Sequence, residues 1–204
     1  RLADGRVIRV TRSGEIPEHV PQLEAALDAC AGIFVNIEIK NDPTEPDFDL
    51  TEWVAHRVGA EVARRGGGPR WLISSFRLET ITACRVTMPS ARTAFLVEHA
   101  DAAVIAATAS GGHAALHPWV SPLDEATVRA AHHAGLAVNV WTCDEPARIA
   151  EMIAWGVDGI CTNVPDVALA IRRHIAVGQP VEPGNTRRTA LGTKSKSSRL
   201  TSPR

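Results

Sequence analysis

The residues with the clearest chemical potential are six in a row, Val35-Asn36-Ile37-Glu38-Ile39-Lys40. In an extended strand side chains alternate, so Val35, Ile37 and Ile39 share one face and Asn36, Glu38 and Lys40 the other. A carboxylate can take a cation or a proton, and an ammonium can neutralise an anion. Two positions apart on one strand face, Glu38 and Lys40 can act on the same ligand. A structural ion pair at a strand end has the same pattern, and alternation alone leaves both readings open. Three further groups stand where strands are expected to end: Ser74-Ser75-Phe76, His117 before Pro118, and Trp141 with Asn139 on its face. Singly each is ordinary packing. Together they would furnish one rim with aromatic walls and a few polar groups, which suits a small polar ligand.

These residues need elements that bring them to one place. From residue 33 the chain alternates β-rich runs with helical ones. The expected strands are Ile33 to Lys40, Arg70 to Phe76, Thr93 to Glu98, Ala114 to His117, Ala137 to Thr142 and Asp158 to Thr162. The intervening helices are expected over Asp49 to Arg65, Leu78 to Val86, Ala100 to Ala109, Asp124 to His133, Glu145 to Trp155 and Pro165 to Ile175. Gly135 and Gly156 are placed to end two of them, and Pro165 suits a first helical turn. A further helix, Gln22 to Ala29, precedes the first of these strands, and Leu2 to Thr11 could form a short extended segment.

Six strand-then-helix units imply a parallel sheet clad by helices, since parallel neighbours need a crossover connection. A barrel and an open doubly wound sheet both fit. No GxGxxG or GxxxxGK[ST] run comes after a strand, which removes the main argument for a nucleotide fold. In a parallel barrel, charges survive mainly at the carboxy-terminal strand ends, where active sites sit, and Glu38 and Lys40 lie at such an end.

Composition bounds the rest. The chain has 204 residues, 45% hydrophobic and 22% charged, enough for one sizeable core. Its net charge of −1 is unevenly spread: from Pro183 onward there are six basic residues and no acidic one, so the body is acidic and the tail basic. That distribution argues against a nucleic-acid binder, and the Ser/Thr/Gly-rich tail, residues 179–204, reads as solvated disorder after a single domain over residues 1–178. No apolar run is long enough to span a membrane. Cys30, Cys84, Cys143 and Cys161 are widely spaced without a CxxC pair, as expected of reduced, mostly buried thiols in a cytoplasmic protein.

The ordered stretches Asn36-Ile37-Glu38-Ile39-Lys40, Ile73-Ser74-Ser75-Phe76, Leu116-His117-Pro118, Val140-Trp141-Thr142 and Gly156-Val157-Asp158-Gly159-Ile160-Cys161-Thr162 resemble successive signatures of the glycerophosphodiester phosphodiesterase family. The resemblance covers about residues 1 to 175. It implies a parallel (β/α)8 barrel of the TIM type, here as about six units, that hydrolyses glycerophosphodiesters to glycerol 3-phosphate and an alcohol with a divalent cation, Mg or Ca. Glu38 then matches the family's metal-binding glutamate, and Lys40 a lysine that would stabilise negative charge on the phosphate. Phe76 and Trp141 match positions lining the glycerol pocket, and His117 joins them as a substrate-binding candidate.

The departures are as informative. The family's His-Arg-Gly strand, its Glu-x-Asp strand and its His-Asp pair, which supply the catalytic histidines, do not precede Arg1, and Arg1-Leu2-Ala3-Asp4-Gly5-Arg6 resembles the family's segment just after that pair. The expectation is therefore a barrel truncated at its amino terminus and inactive by itself. The alternatives are a non-catalytic barrel remnant or binding module, and a related phospholipase D-like lyase. Asn163 stands where many relatives carry an aspartate.

Overall fold

The computed structural model describes residue 17 and residues 19–176. The stretch Leu2 to Thr11 and the basic tail lie outside the described residues. The elements run α1 (Leu23–Ala29), β1 (Val35–Glu38), α2 (Trp53–Arg64), β2 (Trp71–Ser75), α3 (Leu78–Thr87), β3 (Arg92–Val97), α4 (Ala102–Ser110), β4 (Ala115–Pro118), α5 (Glu125–His133), β5 (Ala137–Val140), α6 (Pro146–Ala154), β6 (Gly159–Ile160) and α7 (Pro165–Ala176). All six strands are parallel and follow chain order in one sheet, β1-β2-β3-β4-β5-β6. This is the α/β architecture of a TIM-type barrel, of which the described residues supply six strand-helix units. Among them β1 and β6 are the two sheet edges.

The strands differ as their positions require. Every residue of β2 is buried, as befits a strand covered on both faces. At the edge, β1 alternates: Ile37 and Ile39 are buried while Asn36, Glu38 and Lys40 are exposed. The apolar face of β1 packs against Ala55, Val58 and Val62 of α2 and against Trp71 and Ile73 of β2. A second cluster carries the other half, with Leu116, Val138 and Val140 beneath Val128, Ile149 and Met152 of the outer helices. On the opposite face of the sheet Leu72 packs with three alanines, Ala94, Ala115 and Ala137.

Helix ends follow local chemistry. Asp101 and Asp124 cap α4 and α5 by accepting the backbone N–H of Val104 and Thr127. Gly135 and Gly156, at φ 80° and 77°, take the left-handed turn expected after α5 and α6. One boundary differs clearly from expectation: α2 starts at Trp53, not at Asp49. The Asp49 carboxylate accepts from the Thr51 N–H, the Thr51 hydroxyl and the Trp53 N–H, a local turn that competes with helix. Strand β6 is also shorter than expected. Asp158 turns its carboxylate to the Val138 N–H, and Thr162 gives its hydroxyl to Asp144.

Candidate functional site

Parallel pairing puts the ends of all the strands on one side. Glu38 is level with Ser74 and Ser74 with Ala94; Phe76 comes directly after β2, and Trp141 directly after β5. Glu38, Lys40, Phe76, His117 and Trp141 therefore share the carboxy-terminal end of the sheet. The structure brings them together in two groups.

The first group surrounds a cavity of about 340 Å³ lined by Glu38, Lys40, Asn41, Phe76 and Arg77 among others. The Lys40 ammonium stands 3.6 Å from the Glu38 carboxylate, with their side chains 65% and 36% exposed. Both are free to meet a ligand, and an exposed pair at this separation holds together only weakly. The floor is rigid: the Ser75 hydroxyl donates to the Ile39 carbonyl at 2.7 Å and accepts the Arg77 N–H at 3.2 Å, tying β1 to the end of β2. Phe76 is half-exposed above it.

The second group continues along the rim. The rings of Phe76 and Trp141 meet edge to face, centroids 5.3 Å apart at 88°. The Trp141 Nε1–H donates to the His117 carbonyl at 2.8 Å, so the indole is fixed in orientation. His117 itself is buried below the rim and does not line the cavity. Asn139 Nδ2 donates to its Nε2 at 2.8 Å, which leaves the ring proton on Nδ1. Burial pushes the His117 pKa down to about 4, so the ring is neutral at pH 7. Asn139 has room for this because the next strand carries Gly159; a Cβ there would sit 2.4 Å from Asn139 Oδ1.

Two further residues belong to the site although neither stood out in the sequence. Arg77 lines the cavity, and Glu52, buried in the β1–α2 connection, accepts from its Nε at 2.9 Å. Glu52 falls in what reads as a helical run, so nothing in the pattern marks it as buried. Arg77 directly follows Ser75-Phe76, and only the fold puts it on the cavity that Lys40 also lines.

The donor set is a test for a divalent cation. Among the described residues no group of three or more His, Cys, Asp or Glu side chains is arranged to hold a metal ion. Glu38 offers one carboxylate, with an ammonium beside it, and by themselves these residues do not make a divalent-cation site. The four cysteines are free thiols; Cys84 and Cys143 are buried, whereas Cys30 is partly buried and Cys161 is exposed. No described helix is long and apolar enough to cross a membrane.

Comparison with known proteins adds an independent line. The model of the glycerophosphoryl diester phosphodiesterase family matches residues 4–167. A solved structure from Silicibacter pomeroyi, assigned as a glycerophosphoryl diester phosphodiesterase, superposes with a TM-score of 0.67 at 30% identity over 78% of this chain and 57% of that one. A glycerophosphodiester phosphodiesterase from Parabacteroides distasonis gives 0.64 at 22% identity, over 75% of this chain and 63% of that one. An Oleispira antarctica phosphodiesterase in complex with the product sn-glycerol-3-phosphate gives 0.60 at 16% identity, over 75% and 61%. The chain thus spans about three-fifths of the length of these solved structures. No curated protein matches it.

Proposed function

The chain belongs to the glycerophosphoryl diester phosphodiesterase family, and we propose that its strand-end rim serves in the hydrolysis of a glycerophosphodiester to glycerol 3-phosphate and an alcohol. The observation that carries this reading is the cavity in which Glu38, Lys40 and Phe76 converge, with Trp141 packed edge to face against Phe76. The Oleispira antarctica relative, similar in fold, holds sn-glycerol-3-phosphate.

Each residue then has a task. In phosphoryl transfer the protein mainly positions the group and stabilises charge building on its oxygens. Lys40, exposed and only loosely held by Glu38, turns its ammonium to the phosphate. Phe76 and Trp141, locked edge to face, offer an apolar wall to the carbon skeleton of the glycerol. His117, neutral at pH 7, serves as a substrate-side support: its carbonyl holds the indole, and its ring holds Asn139. A divalent cation, Mg or Ca, belongs to this reading with Glu38 as one ligand, and it would neutralise phosphate charge that Lys40 does not. The described residues do not complete its coordination. No described histidine lines the cavity, so these side chains bind substrate and stabilise charge, and acid-base transfer is left to none of them.

Binding is consequently the direct test. Glycerol 3-phosphate titrated into the full chain is expected to perturb the amides of residues 38–41 and 76–77, and Lys40→Ala should weaken it by about tenfold or more, the worth of one charge-assisted contact. Equal affinity in Lys40→Ala would remove the phosphate from this cavity.

A further inference from the structure

Among the described residues Glu52 is the one non-glycine with a left-handed backbone, φ 54° and ψ 30°. It is also buried, at 8% exposure. Backbone in this region persists only where surrounding contacts over-determine it, and such residues gather at functional sites. A buried carboxylate likewise needs partners. Glu52 has three. Its Oε1 accepts from Arg77 Nε at 2.9 Å, and its Oε2 accepts from the Thr80 hydroxyl at 2.7 Å and from Asn41 Nδ2 at 2.9 Å.

The donors come from different elements. Thr80 belongs to α3, Arg77 lies just beyond β2, and Asn41 just beyond β1. Asn41 in turn closes the segment of residues 41–49, since its Nδ2 also donates to the Asp49 carbonyl at 2.8 Å and its Oδ1 accepts the Asp49 N–H at 2.9 Å. The Arg77 guanidinium lies over the Phe48 ring of the same segment, 5.1 Å from its centroid. Asn41 and Arg77 both line the cavity that holds Glu38 and Lys40, whereas Thr80 does not.

We propose that Glu52 is a positioning residue for that cavity: its carboxylate fastens the 41–49 segment and the Arg77 guanidinium into one wall of the space that Lys40 also lines, so that an anionic phosphate group meets two cations at a set separation. This inference rests on the phosphodiester reading of the cavity. The left-handed turn at Glu52 is what points the carboxylate back under the segment instead of along α2. Substitution by glutamine is discriminating, because the amide keeps one acceptor oxygen but turns an NH2 group toward donors. Arg77 and Asn41 can then no longer both be held.

The experiment compares the full wild-type chain with Glu52→Gln and Thr80→Val, reading backbone hydrogen exchange and glycerol 3-phosphate binding. In Glu52→Gln, exchange at residues 41–49 should rise by about tenfold while β2, β3 and β4 stay protected, and binding should weaken by about tenfold. Thr80→Val removes a donor to the same carboxylate away from the cavity. It should lower the melting temperature yet leave binding within about twofold. The inference is overturned if Glu52→Gln leaves the 41–49 exchange unchanged, if exchange rises equally throughout the sheet, if binding is unaffected although the segment loosens, or if Thr80→Val weakens binding as much. A wild type that binds no glycerol 3-phosphate while Glu52→Gln still loosens only the 41–49 segment overturns the phosphodiester reading and upholds the assignment of Glu52 to the wall.

Discussion

His117, a substrate-binding candidate in the sequence, has its ring buried below the rim and its carbonyl bonded to the Trp141 indole. Its ring is buried against Asn139, and burial favours the neutral form, with a pKa of about 4 against an ordinary 6.5. The unfolded chain therefore binds this proton more readily between those two values, and stability rises with pH across that window. The His117 contribution is intact above about pH 6.5 and is lost as pH falls toward 4, by about 3 kcal/mol at pH 4 on this shift. Carboxylates titrate in the same range, so the measurement is a difference. Urea unfolding of wild type and His117→Gln at pH 7 and pH 4 should show the wild type losing more stability on acidification. A gap independent of pH would mean that the ring is not held neutral.

At the scale of elements, the β5–α6 and β6–α7 connections explain why asparagine occupies position 163. Asp144 accepts the Thr162 hydroxyl at 2.9 Å, the Asn163 N–H at 2.7 Å and Asn163 Nδ2 at 2.8 Å, clamping the two connections together. The Asn163 side-chain amide is the leading reason the Asp144 carboxyl lies below its usual range. An aspartate at 163 would remove that donor and set two carboxylates against each other. Asn163→Asp is expected to lower the melting temperature at pH 7, with the deficit closing as pH falls through the carboxylate range and one group takes a proton. Thermal melts at pH 7 and pH 4 check both the sign and the window. A deficit of the same size at both would place the cost in packing instead.

At the scale of the whole molecule, two outer clusters are joined by the thin inner layer of Leu72, Ala94, Ala115 and Ala137. Small side chains there let neighbouring strands curl toward the barrel interior, but they bury little area with which to weld the halves. What couples them is the continuous β2–β3–β4 pairing. Ile149 is fully buried in the larger cluster. Ile149→Ala should cost about 2–5 kcal/mol through lost burial and a residual cavity. Because the sheet is continuous, a single unfolding transition is expected to persist in the variant. Calorimetry that resolves two transitions would show that the halves are separate cooperative units.

Much of the architecture was legible from short-range pattern. Period-two alternation put Glu38 and Lys40 on one face of a strand, and strand-helix repetition implied a parallel sheet with Phe76, His117 and Trp141 at the same end; all of these depend on neighbours within a few residues. The ordered signatures added the family, because five matches in sequence constrain far more than one. What pattern could not supply was which of these groups touch. The edge-to-face pair of Phe76 and Trp141 joins residues 65 positions apart. The withdrawal of His117 below the rim depends on Asn139 and on the absence of a side chain at Gly159. Glu52 is the sharpest case, since helical periodicity runs through it without a break, and only the tertiary fold brings Asn41 of its own connection and Arg77 and Thr80 at the start of α3 onto its buried carboxylate. Alternation and propensity are local and can be read along the chain. Burial and hydrogen-bond partnership arise only when distant segments are brought together, and that the tertiary structure alone decided.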